Sequence, residues 1–348
     1  MHSLRAGRYL AAYILPLLVL LGLSQGGIWT FAPLLYIYGV LPLLELLLPA
    51  PVSNLTEPEE ESVESDPLYD VLLYLAVPVQ YGLLGYFFFV LPDLHGLSLV
   101  GAIISLGLMC GTFGINVAHE LGHRPKQLPQ FAAKLLLLSS LNTHFFVEHN
   151  RGHHRRVATI EDPASARRGE TLYHFWMRSI YTGYRSAWQL ENTRLAKQER
   201  HWFSFQNQMF RWQLMQLVAV AMIFGFLGVK AGICFLIAAT GGILLLETVN
   251  YIEHYGLQRV KQGARYERVS PIHSWNSNHI LGRLTLFELS RHSDHHARAS
   301  RPYPILRHHE ASPQMPTGYP GMMLVALIPP VWFHVMHRQI ARFQAAES

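Results

Sequence analysis

A chain of 348 residues, half of them hydrophobic and only 15% charged, with a mean hydropathy of +0.15, is not composed like a soluble protein, which carries about 25% charged residues. The formal net charge of +5 comes from 28 Lys and Arg against 23 Asp and Glu and leaves 20 histidines uncounted. The two cysteines, Cys110 and Cys234, both fall in apolar runs, which excludes a disulfide framework, a zinc knuckle and an iron–sulfur site; they are expected to be packing residues.

In chain order, residues 9–24 and 28–49 are apolar runs joined by "SQGG", a turn-rich break. Residues 50–67 are acidic and rich in Pro and Ser, and are expected to be a solvated loop. Two further runs, 68–91 and 96–118, flank "PDLHG", and another pair, 212–228 and 231–250, flanks "GVKAG". Each is near the ~20 residues a helix needs to cross a bilayer core. The expected fold is therefore an all-α integral membrane protein, one domain over 1–348, with about six transmembrane helices in three hairpins. Residues 10–23 could serve as a signal-peptide core, but no convincing small-residue cleavage site follows and a second span comes at once, so the run is taken as a span. Two apolar stretches stand outside the count: 131–146 contains Lys134 and His144, and 319–336 is broken by Pro329 and Pro330. Both are expected to lie in the interface or to pack under the bundle. The sequon at 54–56 is read as a chance match.

Arg5 and Arg8 precede the first span, and no Lys or Arg follows until Arg124. With six spans the outer side holds a single cation, Lys230. Positive charge gathers on the cytoplasmic side, so a multi-pass protein of the inner (cytoplasmic) membrane is expected, with both termini and the histidine-rich region in the cytoplasm.

The histidines cluster on that side. "HELGH" (His119, His123) begins where the fourth span ends, "EHNRGHH" (His149, His153, His154) follows it, "NYIEHYG" (His254) closes the sixth span, and "RHSDHHA" (His292, His295, His296) lies in the tail. His119 and His123 are i and i+4, so on a helix they share a face and can ligate one metal; His149 and His153 do the same, with His154 free to serve a second ion, and His292 pairs with His295 or His296. A tetrahedral ion takes three or four protein ligands, so nine imidazoles suit two ions with four or five each. Imidazole suits Zn, Cu, Fe and Ni alike. Isolated histidines are more often solvated side chains, which covers His2, His95, His174, His201, His308, His309, His334 and His337; His144, His273 and His279 stay open. "HELGH" also fits the H-E-x-x-H pattern of a zinc metalloprotease, here an intramembrane one, with the glutamate as general base, but that reading leaves seven clustered histidines unused.

Taken together, "HELGH", "EHNRGHH", "NYIEHYG" and "RHSDHHA" resemble the integral-membrane di-iron alkane 1-monooxygenases, within the wider histidine-rich desaturase and hydroxylase group. The likeness runs from about residue 100 to 300. "NYIEHYG" and "WNSNH" (275–279) narrow it to alkane hydroxylases, the xylene-type monooxygenases being the nearest neighbours. One departure is Ser290, where the family commonly has Gln before the Arg of the last box. The resemblance implies two iron ions held by His119, His123, His149, His153, His154, His254, His292, His295 and His296, and O2 as co-substrate for terminal hydroxylation of alkanes to 1-alkanols. Related xylene or fatty-acyl hydroxylation, or desaturation, is the alternative. Glu120, Glu148, Glu253 and Asp294 are expected to orient ring nitrogens, and an alkane, lacking any polar handle, needs an apolar tunnel open to the lipid.

Each turnover takes two external electrons, yet the chain has neither a G-x-G-x-x-G fingerprint nor a cysteine cluster. A separate donor is expected, and the resemblance suggests rubredoxin with its NADH-dependent reductase. Arg151, Arg155, Arg156, Arg167, Arg168 and the basic run 259–268 give the metal face a cationic surface, suited to the cytoplasmic side and to an acidic donor. The expected partners are the bilayer, the alkane and that donor, and no nucleic acid.

Overall fold

In a computed structural model describing residues 2–347, the chain is almost wholly helical; the His2 side chain lies outside the described side chains. Helices α1 (Arg5–Gln25) and α2 (Gly27–Leu47) form the first hairpin, turned at Gly26 and Gly27 with φ of 66° and 55°, a conformation that costs glycine nothing. Residues 50–67 are largely exposed, as expected, but not loop throughout. Thr56 and Glu59 form a capping box: the Thr56 amide donates to Glu59 Oε2 at 2.9 Å, and Pro58 falls in the first turn, so α3 (Glu57–Glu64) forms and buries Val63.

Next come α4 (Leu68–Asp93) and α5 (Gly96–Gly122), both long and apolar enough to cross a membrane, then α6 (Gln127–Ser139), α7 (residues 145–156) and α8 (Leu172–Ala196). The helical run Gln208–His254 is strongly apolar in its middle and 47 residues long, about 70 Å as a straight helix and twice what a bilayer core takes. It is divided into α9 (Gln208–Met222, continued by one widened turn over Ile223–Leu227) and α10 (Gly228–His254). Gly228 at φ 84° makes the break, and the Phe224 ring lies against Gly232, which a continuous helix would hold two turns away. Lys230, at the start of α10, donates to the carbonyls of Leu91 and Leu94 at 2.8 and 2.9 Å, so the turn after α4 and this turn share one end of the bundle.

The bundle is apolar outside as well as inside. Leu17, Leu35, Leu43, Phe89, Val229 and Phe226 are exposed, a surface suited to lipid and not to water. The chain is an integral membrane protein. Small residues set the contact that matters most: a Cβ on Gly107 would lie 3.1 Å from the Ala238 carbonyl, and one on Gly242 would lie 2.8 Å from the Cβ of Cys110. Backbones of α5 and α10 therefore approach closely, bringing "HELGH" and "NYIEHYG" to the same level. Both cysteines are buried and unpaired, as packing residues.

After α10 the basic run folds into a two-strand hairpin, β1 (Lys261–Gln262) and β2 (Arg265–Tyr266), paired antiparallel. Short helices α11 (Ile280–Thr285) and α12 (His292–Ala297) follow, then α13 (Tyr319–Ala326) and α14 (Pro329–Glu347). The last two pack under the bundle: buried Trp332 lies tilted against Tyr251 of α10 and edge-on to Tyr255 just after it, at 5.0 and 5.2 Å between ring centres. Pro329 starts α14, where the missing N–H costs no hydrogen bond.

Candidate metal centre

Four helices ending at one level carry the histidines. α5 presents His119 in its last turn, and His123 caps its end with its ring 4.9 Å from that of His119. α10 delivers His254 as its last residue, and α12 carries His292, His295 and His296. Two groups result. His119, His123, His149, His154 and His295 each offer a ring nitrogen within 4.8 Å of the others, and so do His153, His254, His292 and His296.

The membership differs from α-helical spacing at α7, where His149 was expected beside His153. The backbone widens to a π-helix over His149–His153, and the His154 N–H bonds to the carbonyl of His149, five residues back. The wider turn carries position i+5 under position i. His149 therefore joins His154, at 3.0 Å between Nε2 atoms, and His153 goes to the other group, 3.2 Å from His296. In α12 the i,i+4 pair His292 and His296 stays together at 2.8 Å, while His295 faces His154 at 3.1 Å.

These contacts do not work as hydrogen bonds. Nε2 of His292 lies within 3.2 Å of three groups, His254 Nε2, His296 Nε2 and Glu253 Oε2, yet one ring nitrogen offers a single proton or a single lone pair. His119 is buried with neither nitrogen hydrogen-bonded. Nitrogens at ~2.0–2.1 Å around a tetrahedral ion stand about 3.3 Å apart, close to the 2.8–3.2 Å separations here. The donor set fits metal ions. Burial first, and neighbouring imidazoles next, push His149, His295 and His296 well below the usual histidine range, which keeps their lone pairs available.

The carboxylates sort differently from expectation. Glu120 pairs with Arg124 at 2.9 Å and accepts from the Tyr303 amide at 3.3 Å, so the glutamate of "HELGH" is engaged away from the histidines, unlike a protease general base. Glu148 pairs with Arg156 at 2.6 Å, and Asp294 holds Arg301, the Arg307 amide and His309. Only Glu253 of the four reaches a clustered histidine, and it meets the inward Nε2 of His292, with Tyr319 donating to its other oxygen at 2.7 Å. The carboxylate that does orient a ring is Asp162, unforeseen from the sequence. It is buried, 2.9 Å from His153 Nδ1, and accepts from Ser165 at 2.6 Å; that bond fixes the tautomer and leaves Nε2 free. "WNSNH" is a strap: the Trp275 indole donates to the Tyr255 carbonyl at 2.9 Å, its amide donates to that of Glu253 at 2.8 Å, and Asn276 accepts from Ser293 inside α12. His279 takes Ser277, His273 takes Ser270 and Glu267, and His144 meets Tyr184 edge-on; none joins either group. His308 and His309, expected in solvent, bond to Asn278 and Asp294.

A narrow cavity lies beside both groups. His119, His149 and His292 reach it at one end, and Ile37, Leu41, Leu245 and Val249 form apolar walls.

Two buried imidazole groups at one end of an all-helical, lipid-facing bundle define the histidine-rich membrane group to which desaturases and hydroxylases belong. A family model described as fatty acid desaturase matches residues 94–326, which span every histidine of the two groups. Alkane 1-monooxygenase 1 of Pseudomonas aeruginosa is 43% identical over 92% of this chain and 85% of its own length, and an alkane 1-monooxygenase of Pseudomonas putida is 42% identical over 85% and 74%. A xylene/toluene monooxygenase hydroxylase component of Pseudomonas putida is 27% identical over 92% and 86%. The chain belongs to the alkane 1-monooxygenase family.

Proposed function

We propose that the protein hydroxylates the terminal methyl of alkanes, taking up one alkane, one O2, two electrons and two protons and giving one 1-alkanol and one water. The observation that carries this reading is the division of nine imidazoles into groups of five and four at the end of an apolar cavity. His119, His123, His149, His154 and His295 would hold one iron, and His153, His254, His292 and His296 the other. Bound there, iron supplies the reduction of O2 and the oxidising power that an unactivated C–H bond demands. The chain supplies the rest. Asp162 holds the proton on His153 Nδ1, and neutral rings present lone pairs. Apolar walls desolvate an alkyl chain and admit it lengthwise, so its end meets His119, His149 and His292. Asn250 and Glu253 are polar groups of the same cavity, able to accept or donate to the new hydroxyl.

Six crossings with both termini cytoplasmic accord with the break at Gly228 and with the placement of charge. Arg5, Arg8, Arg151 and Arg155 lie at the histidine end, and Lys230 lies at the other. Electrons from rubredoxin accord with the same end: His123 and His154 are partly exposed, and Arg155, Arg167, Arg168, Lys261 and Arg265 are exposed. The test combines iron analysis of the purified protein with turnover of octane under labelled O2. Two irons per chain and a labelled 1-alkanol are expected; an unlabelled alkene would replace hydroxylation by desaturation, and one zinc per chain would sink the assignment.

A further inference from the structure

A second cavity opens at the histidine end, between the start of α1 and the segment that leads into α12. It has a volume of about 640 Å³ and is lined by Arg5, Arg8, Arg283 and Arg291, with Glu59 and Glu288. Four guanidiniums face two carboxylates, so two positive charges are uncompensated. On the inner wall Glu288 accepts from Arg283 at 2.6 Å and from Tyr9 at 2.9 Å. Arg291 is buried and donates its two terminal nitrogens to the carbonyls of Leu306 and Ser53, at 2.7 and 3.0 Å. Its Nε has no hydrogen-bond partner, because Glu288 is 3.8 Å away. At the mouth Arg5 is paired with Glu59 at 2.6 Å. Arg8 is exposed and makes no hydrogen bond or ion pair among the described residues.

The remaining lining is mixed: Leu55, Val63, Ile280 and Leu284 are apolar, and Ser53, Asn54, Tyr9 and Tyr69 add polar groups. Beyond Arg8, Ile14, Leu17 and Leu21 are exposed along α1 at spacings of three and four residues. A positively charged recess that continues into a lipid-facing apolar track matches one kind of molecule, with an anionic head and apolar tails. A soluble phosphate ester would satisfy the charge and leave the track unused.

We infer that this cavity binds the phosphate headgroup of an anionic phospholipid, with Arg8 as its free cation and Arg291 at its inner wall. The inference rests on the membrane setting alone and not on the metal reading. Because Arg291 directly precedes His292, an occupied cavity also steadies the segment that carries α12.

The full chain is reconstituted in vesicles of phosphatidylcholine and phosphatidylglycerol in equal parts, re-extracted in mild detergent, and its retained lipids are counted by native mass spectrometry. Wild type is expected to keep one phosphatidylglycerol per chain in preference to phosphatidylcholine. Arg8→Gln should weaken that retention about fivefold, the effect of one cation near an anionic surface. Arg8→Lys should keep most of it, and Arg185→Gln, at an exposed arginine on α8, should change nothing. Equal retention of the two lipids, or equal retention by wild type and Arg8→Gln, overturns the proposal. Displacement of phosphatidylglycerol by excess inorganic phosphate overturns the lipid assignment in favour of a soluble anion.

Discussion

Replacing Asp162 tests how the imidazoles are divided. The carboxylate is buried, with Oδ2 2.9 Å from His153 Nδ1 and 2.6 Å from Ser165 Oγ. Burial pushes its pKa up, but the His153 ring and the Ser165 hydroxyl together outweigh that and hold it below the usual carboxylate range. Asp162→Ala leaves a buried ring N–H without an acceptor, a cost of about 1–3 kcal/mol, and frees the ring to turn or change tautomer. Partners of this kind are worth ~10–100-fold in metal affinity or activity. Asp162→Asn keeps an oxygen in place but loses the charge, so it belongs at the lower end, near ~10-fold, with Asp162→Ala near ~100-fold. His153 belongs to the group of four, so the loss should fall on one ion. Iron per chain, measured after dialysis against graded chelator, should drop from two toward one in Asp162→Ala, and alkane turnover should drop with it. Full iron retention and wild-type turnover in Asp162→Ala would refute the orienting role, and equal loss of both ions would refute the division into five and four.

Other outcomes follow from other parts of the structure. His119→Ala should abolish turnover and lower iron content, whereas His337→Ala, which loses a 3.0 Å contact with Tyr255, should keep both irons and give up at most ~1.5 kcal/mol in a melting experiment. Leu245→Phe narrows the cavity nine residues, about 13 Å of helix, from His254; the longest alkanes should lose ~10-fold or more in kcat/KM, with shorter ones little changed, and a uniform loss would contradict an end-on cavity. Glu170 accepts from Arg178, the Arg167 amide and His174; burial raises its pKa, but these partners prevail and hold it low. Its stabilising contribution is then present above the ordinary carboxylate pKa of ~4.3 and is lost as pH falls through its lower folded value, so the Tm gap between wild type and Glu170→Gln should close on acidification. Arg155→Glu together with Lys261→Glu should raise the KM for rubredoxin and flatten its dependence on ionic strength; an unchanged salt profile would place donor docking elsewhere.

Much of this site was legible because its signal is one of residue type and count. Histidine boxes at the ends of apolar runs need no tertiary information to be grouped on one side, and nine imidazoles point to two ions by ligand arithmetic alone. What the sequence hid were features of backbone geometry. Nothing in "HNRGH" announces a π-helix, so α-helical spacing pairs His149 with His153, and only the i+5 hydrogen bond to His154 reveals the other partition. Asp162 lies in a turn, nine residues from the ring it orients, and no periodic pattern links the two. Glu253 carried a signal for position but not for role, since chain order cannot tell whether a carboxylate meets the inner or the outer nitrogen of a ring.

The same contrast runs through the fold. Apolar length predicts the legs of the bundle well, because a bilayer imposes ~20 residues on any helix that crosses it. Composition misleads where a local motif outweighs it, as with α3: an acidic, proline-bearing stretch becomes helical because Thr56 and Glu59 satisfy its first amides reciprocally. It also gives no hint that four segments far apart in the chain will meet. That meeting depends on small residues, Gly107 and Gly242 above all, which carry no chemistry and let α5 and α10 come close enough for His119 and His254 to serve neighbouring groups. A bulkier side chain at either position would push the helices apart where they now touch, so the convergence of the imidazoles depends on these glycines as well as on the histidines themselves.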